Sequence, residues 1–148
     1  MSTALPEVGS KAPDFSATAN DGSRVSLRDL LARGSVALFF YPGDDTPGCN
    51  RQLSAVRDDL ATFRDAGIHP FGVNPAGIES HAKYANKFEF NFPLLSDAGS
   101  AIAAAYGAVK EDGKKIQRSV IGIGRDGTIR FATRGAPPPG EVIAALEE

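Results

Sequence analysis

At 148 residues, with 42% hydrophobic and 23% charged side chains, the chain has the size and composition of one ordinary globular domain. A domain of this length buries roughly two thirds of its unfolded surface, enough for a substantial core. The formal net charge of −2, with basic residues spread along the chain, argues against nucleic acid or an anionic membrane as the main partner.

In chain order, the N-terminus Met1-Ser2-Thr3-Ala4-Leu5-Pro6-Glu7 has neither a positive cluster nor an apolar stretch, so it is not expected to be a secretory signal. Val36-Ala37-Leu38-Phe39-Phe40 is a continuous apolar run between Gly34 and Pro42, the pattern of a central strand buried on both faces. From Thr46 to Ala66 the period becomes helical. Leu53, Val56, Leu60 and Phe63 form one stripe, Arg57, Asp58, Asp59 and Arg64 face away from it, and Gly67 ends the helix. Pro70-Phe71-Gly72-Val73 reads as a short strand, and Ser80 to Phe88 and Ser100 to Tyr106 read as helices. Ser119 to Ile123 and Thr128 to Thr133 read as a hairpin turning at Asp126-Gly127. Ala136-Pro137-Pro138-Pro139-Gly140 breaks the chain before a last helix with the stripe Val142, Ile143, Leu146. Strands separated by helices, with one late hairpin, predict an α/β fold: a central mixed β-sheet flanked by helices on both faces. We expect a single domain over residues 1–148, since no repeat or linker interrupts it.

Several function classes fall away. No apolar run approaches the ~20 residues of a membrane helix, so no membrane partner is expected. Gly43 to Gly48 has the glycine spacing of a phosphate loop, but Cys49-Asn50 stands where Lys and Ser/Thr are required, and Asp44 and Asp45 would repel phosphate. His69 and His81 are the only histidines and lack ligand-like spacing, so neither a metal nor a cofactor is expected. Asp44 and Asp45 read as turn and solvent residues, and His81 as a helix-start or surface histidine. A single cysteine cannot form an internal disulfide, which favours a cytoplasmic location where a free thiol persists.

That cysteine lies at an informative place. In Phe39-Phe40-Tyr41-Pro42-Gly43-Asp44-Asp45-Thr46-Pro47-Gly48-Cys49 a buried strand ends, a turn follows and a helix starts. Thr46 suits the N-cap and Pro47 the first helical position, where a missing N–H costs nothing. Cys49 is then the third helical residue, its N–H within reach of the Thr46 hydroxyl. Its sulfur lies in the first turn, where free N–H groups and the helix dipole favour a thiolate. Because Cys49 precedes Leu53, Val56 and Leu60 on the inward face, the sulfur should be partly sheltered. A free thiol with a pKa near 8.5 is about 3% ionised at pH 7, so full ionisation gains only about 30-fold. A donor aimed at developing charge supplies ~10² to 10³ in other enzymes. Speed at this sulfur therefore has to come mostly from groups holding its reaction partner.

Pro42-x-x-x-Thr46-x-x-Cys49 resembles the active-site motif of the peroxiredoxin family, within the AhpC/TSA superfamily. The wider stretch from Tyr41 to Cys49 is similar to the bacterioferritin-comigratory, or Q-type, subgroup. Gly9-Ser10-Lys11-Ala12-Pro13-Asp14-Phe15, Ser80-His81, Phe92-Pro93-Leu94-Leu95-Ser96-Asp97, Tyr106-Gly107 and Arg118-Ser119 fall in the family's order, so the likeness spans roughly Val8 to Leu146. The resemblance implies a thioredoxin-like fold and a peroxidase that reduces hydroperoxides through Cys49. By the same match Thr46 bonds the peroxide, Pro42 shields the sulfur and Arg118 sits beside the thiolate. Gly48 and Gln52 are candidates for positioning the substrate. The products are an alcohol or water and a sulfenic acid on Cys49.

Two positions depart from the subgroup. The resolving cysteine that many Q-type members carry five residues after the first is Ser54 here. Five residues turn a helix about 140° beyond a full turn, so even a cysteine there would need local unwinding. Oxidised Cys49 must then be reduced by an external thiol: a small molecule, a thioredoxin- or glutaredoxin-like protein, or a second copy. This is a one-cysteine mode, with a monomer or weak homodimer implied by resemblance. Gln52 stands where the subgroup has glutamate, leaving the Arg118 charge more fully on the sulfur. A protein-disulfide reductase is disfavoured by the absence of a Cys-x-x-Cys pair. A non-enzymatic thiol redox sensor or holdase on the same fold remains the alternative.

Overall fold

The structure is a computed structural model and describes residues 4–147; the Met1 to Thr3 part of the N-terminal reading lies outside them. At its centre is the apolar run, strand β3 (Ser35–Phe40), with every residue buried. Its pleat sends Val36, Leu38 and Phe40 into one core and Ala37 and Phe39, followed by Tyr41, into another. A strand buried on both faces needs helices on both faces, and that is what surrounds it.

Among the described residues, seven strands form one sheet in the order β2-β1-β5-β4-β3-β6-β7. They are β1 (Ser16–Ala19), β2 (Arg24–Ser26), β3, β4 (Ile68–Asn74), β5 (Leu94–Ser96), β6 (Ser119–Ile123) and β7 (Ile129–Arg134). β3 pairs in parallel with β4 and antiparallel with β6, β4 pairs in parallel with β5, and the remaining neighbours are antiparallel. The sheet is mixed, as expected. Helices α1 (Leu27–Leu31) and α5 (Ala101–Ala105) cover one face through Leu27, Leu30, Ile102 and Ala103. On the other face lie α2 (Pro47–Asp58), α3 (Leu60–Asp65), α4 (Ile78–Phe88) and α6 (Pro139–Leu146). They bring Leu53, Val56, Phe63, Tyr84 and Val142 onto Phe39 and Tyr41.

Some boundaries differ from the expected ones. The helix read from Thr46 to Ala66 is two helices, because Asp59 leaves helical geometry at φ −101°, ψ 12°. Aspartate is a weak helix former whose side chain competes for the backbone. The stripe Leu53, Val56, Leu60, Phe63 continues buried across the break, which is why periodicity alone did not reveal it. The helix read from Ser100 to Tyr106 begins with a tight turn at Ala98–Ser100, where Gly99 and Ser100 have φ of 70° and 58°. The Asp97 carboxylate then accepts from the backbone N–H of Ile102 and Ala103 at 2.8 and 2.9 Å and opens α5. Strands β1, β2 and β5 and helix α1 were not anticipated. β1 alternates only small residues, with Ala17 and Ala19 inward, and β2 and β5 have three residues each, too little for a period.

The register of β3 and β6 positions the site. Phe40 faces Ser119, so the residue before β6, Arg118, emerges beside the loop that leaves β3 for α2.

Candidate active site

Cys49 is the third residue of α2, after Pro47 and Gly48, with Thr46 at the N-cap in extended geometry (φ −109°, ψ 146°). The cap differs from expectation in one respect: the Thr46 hydroxyl makes no bond to the helix N–H groups. It donates instead to the Gly43 carbonyl at 3.1 Å, closing the turn that Asp45 forms at φ 54°. The first-turn N–H groups of α2 are thus left uncapped by a side chain, and no acidic residue lies in that turn. Thr46 and Pro42 are exposed at the turn's surface.

The sulfur is more sheltered than the helical stripe implied, since Cys49 is fully buried among Phe39, Tyr41 and Leu53. It is not isolated from charge. Arg118 Nη2 donates to Cys49 Sγ at 3.4 Å, and Nη1 of the same guanidinium donates to Gln52 Oε1 at 2.7 Å. Gln52, one turn beyond Cys49, thus orients the arginine. With Oε1 so engaged, its Nε2 is the only buried side-chain polar atom without a hydrogen-bond partner among the described residues. Gly48 completes the arrangement by its size: a Cβ there would come within 3.1 Å of Arg118 Nη2. Glycine leaves the guanidinium its place over the helix start.

A groove of about 330 Å³ opens beside this group, lined by Gly48, Gln52 and Arg118, by Arg51 at its rim, and by an apolar wall that includes Phe39 and Pro137 to Pro139. Its volume is at the lower end of small-molecule sites.

One cluster was missed by the sequence reading. The sequence reads Asp44 as a turn and solvent residue and His81 as a helix-start or surface histidine, but His81 is fully buried and the Asp44 side chain is only 10% exposed. Asp44 accepts from the Tyr41 hydroxyl (2.7 Å) and the Ser80 hydroxyl (2.6 Å), and lies 2.8 Å from His81 Nδ1. Burial pushes its carboxyl up, and the hydrogen bonds from His81, Ser80 and Tyr41 outweigh that and hold it below the usual carboxylate range. Burial and the neighbouring Asp44 charge raise the Tyr41 phenol, which keeps it a donor. His81 does open a helix, as read, being the fourth residue of α4. The only signal of its burial was the Ser80-His81 pair itself, since a histidine in the first helical turn is as often exposed. Asp45 matches the solvent reading: it is exposed and paired with Lys87 at 2.7 Å.

Among the described residues, no three His, Cys, Asp or Glu side chains are grouped so as to hold a metal ion, and no helix is long and apolar enough to cross a membrane. Sulfur, guanidinium and free helix N–H groups together suit a reaction in which a thiolate attacks and an oxygen anion departs.

Comparison with known proteins agrees. Residues 8–132 match the model of the AhpC/TSA family. A Coxiella burnetii protein named as a peroxiredoxin of the bcp type is 35% identical over 129 residues, 83% of this chain and 85% of its own. A Mycobacterium tuberculosis protein named as a peroxiredoxin is 37% identical over 140 residues, 90% of this chain and 88% of its own. Among solved structures, the peroxidoxin BcpB of M. tuberculosis superposes with a TM-score of 0.88 at 28% identity, covering 95% of this chain and 96% of the other. The bacterioferritin comigratory protein of Xanthomonas campestris, whose structures concern alkyl peroxide reduction, superposes at 0.78 with 29% identity, covering 89% and 87%.

Proposed function

The chain belongs to the AhpC/TSA family as a thioredoxin-fold peroxiredoxin of the bcp/Q type, a thiol-dependent peroxidase, and from that premise we propose that Cys49 reduces hydroperoxides in a one-cysteine cycle closed by an external thiol. The observation that carries the reading is the 3.4 Å approach of Arg118 Nη2 to the Cys49 sulfur at the start of α2.

The thiolate attacks the terminal oxygen of the hydroperoxide R–O–OH. An S–O bond forms, the O–O bond breaks, and its electron pair leaves on R–O⁻, which takes a proton to become an alcohol or water. Cys49 is oxidised to the sulfenic acid. The uncapped N–H groups of α2 and the Arg118 guanidinium stabilise first the thiolate and then the departing oxygen, which is where most of the acceleration is assigned. Thr46, whose hydroxyl hydrogen is held by the Gly43 carbonyl, is assigned to accept from the peroxide through its oxygen, Pro42 is assigned to shield the sulfur, and Gly48 and Gln52 position the guanidinium.

Ser54 occupies the place of a resolving cysteine and Cys49 is the only cysteine, so reduction needs two equivalents of an outside thiol. The first forms a mixed disulfide with Cys49 and releases water; the second releases the Cys49 thiol and a disulfide. Cys49 itself does not line the groove at Gly48, Gln52 and Arg118, but the guanidinium that contacts its sulfur does, so we place the approach of such a thiol there; a compartment that keeps thiols reduced, such as the cytoplasm, suits this cycle.

The test is one equivalent of hydrogen peroxide or an organic hydroperoxide added to reduced protein, with loss of titratable thiol followed in time. Mass spectrometry reads a single added oxygen on Cys49; with no tryptophan in the chain, fluorescence is a poor probe. Fast oxidation followed by multiple turnovers with added thiol is expected, and Cys49→Ser abolishes both. Fast oxidation without turnover would favour a redox sensor. Oxidation no faster than free cysteine, or an active Cys49→Ser protein, would rule out the mechanism.

A further inference from the structure

The Asp44–His81 contact lies behind the loop that carries Pro42 and Thr46, and the ring's surroundings restrict where its protons sit. His81 Nε2 faces two backbone carbonyls, Asn74 O at 3.1 Å and Leu95 O at 3.2 Å. Carbonyls only accept, so Nε2 carries a hydrogen. Nδ1 lies 2.8 Å from Asp44 Oδ2 and 3.1 Å from Oδ1. A bare Nδ1 would set a lone pair against a carboxylate at that distance. The one other donor near it, the Tyr41 hydroxyl at 3.4 Å, is committed to Asp44 Oδ1 at 2.7 Å. Nor does the proton belong on Asp44, whose oxygens already accept hydroxyl hydrogens from Tyr41 and Ser80.

We infer that His81 is held as an imidazolium, protonated on both ring nitrogens, and that this buried cation is a positioning residue that clamps the Pro42 to Thr46 loop for the reaction at Cys49. The inference rests on the peroxidase reading only in its second half. The chain of action is short. Asp44 sits midway between Pro42 and Thr46, and Asp45, beside it, adopts φ 54°, a left-handed conformation uncommon for residues with a side chain and best tolerated by asparagine and aspartate. Most of the holders are on α4: Ser80 and His81 on Asp44, and Lys87 on Asp45 at 2.7 Å, joined by the Tyr41 hydroxyl on Asp44 and the Asn50 amide on Asp45. Removing the Nδ1 proton turns the shortest of the His81 contacts from an attraction into a repulsion. Asp44 then has reason to leave, and the turn that places Thr46 and the first turn of α2 loses its anchor.

The charged and titratable groups around the ring are few. Asp44 and Tyr41 face it from the loop and the end of β3, and Tyr84 lies one turn along its own helix, 6.1 Å ring to ring from Tyr41. The Cys49 charge is felt by both tyrosines. From the turn after β5, Asp97 shares the Asn74 carbonyl through its N–H, while its carboxylate is engaged by α5. Of these, Asp44 alone sets a carboxylate against a ring nitrogen.

The test reads the ring directly. In nitrogen-15 spectra of the whole protein at pH 7, His81 is expected to show two protonated ring nitrogens, with His69, the other histidine, as the internal reference. One protonated nitrogen, with Nδ1 bare, overturns the charge assignment. For the positioning role, His81→Asn and Asp44→Asn are each expected to slow peroxide oxidation of Cys49 by at least about tenfold, the scale of a small misplacement at a reacting centre. Asp44→Glu, which keeps a carboxylate for the ring, should recover part of the rate lost in Asp44→Asn. A doubly protonated ring with unchanged rates in His81→Asn and Asp44→Asn overturns the clamp. Should either variant fail to fold, Ser80→Ala, which removes another α4 hold on Asp44, is read in its place. Should wild-type Cys49 resist peroxide, the peroxidase reading fails while the spectrum still judges the ring.

Discussion

Arg118 and Cys49 are 69 positions apart in the chain, yet Arg118 Nη2 lies 3.4 Å from the Cys49 sulfur. The contact follows from the antiparallel pairing of β3 and β6: with Phe40 opposite Ser119, the chain entering β6 arrives where the chain leaving β3 turns into α2. The guanidinium is fixed at one further point by Gln52 and given space by Gly48.

Removing that guanidinium should separate chemistry from access. Arg118→Ala is expected to lower the rate constant for peroxide oxidation of Cys49 by about 10² to 10³, the usual consequence of losing one donor to developing charge. The single titratable thiol remains. Rapid-mixing oxidation followed by thiol titration checks it, and an unchanged rate would falsify the assigned role.

Gln52→Glu places a carboxylate where an amide oxygen now holds Arg118. The new charge competes with the sulfur for the guanidinium and repels a thiolate beside it, so the pH profile of Cys49 alkylation should move to higher pH. At pH 7 the alkylation rate is expected to fall by up to about tenfold. Iodoacetamide kinetics across pH measure it, and a profile that stays in place counts against the idea.

Gly48→Ala should move stability and activity in opposite directions. In the first turn of α2 alanine is the better helix former, a gain of up to about 1 kcal/mol. The added Cβ meets Arg118 Nη2 at 3.1 Å, and the flexible arginine yields by swinging off the sulfur. Thermal unfolding and peroxide kinetics on one sample test the split; a variant as fast as the wild type would show that the arginine need not move.

The Asp44 carboxyl, held below the usual carboxylate range despite its burial, makes acid stability informative. A depressed folded value means the ionised group stabilises the fold above the ordinary carboxylate value near 3.9, and this is lost as pH falls through the folded value. Asp44→Asn should therefore be less stable than the wild type at neutral pH, by about 3 kcal/mol if it behaves as a broken buried pair. The gap should narrow below about pH 4. Denaturant midpoints of both proteins at pH 7 and pH 3 decide; a gap that widens in acid would contradict the assignment.

Much was legible in the residues themselves. An apolar run as short as Val36 to Phe40, bounded by Gly34 and Pro42, reads as a strand covered on both sides, which implied β3 and its two layers of helix. Thr46-Pro47-Gly48-Cys49 carries its own instruction to start a helix, so the sulfur's place at a helix N-terminus followed from local chemistry. Where signals were weak or shared, the reading stopped: three-residue strands have no period, alanines make a faint alternation, and an aspartate pair breaks α2 without disturbing its apolar stripe.

What the chain order could not decide was which polar residues meet. Thr46 has a cap's identity and a cap's backbone, yet its hydroxyl turns back to Gly43 because the Asp45 turn brings that carbonyl closer. Asp44 and His81, each ordinary at a surface, become a largely buried pair because α4 packs its first turn against the ends of β4 and β5, where His81 meets the Asn74 and Leu95 carbonyls. Local sequence determines helices, strands and caps through interactions a few residues long. The partners of a charge are set by sheet register and helix packing, which join residues that the chain itself keeps far apart.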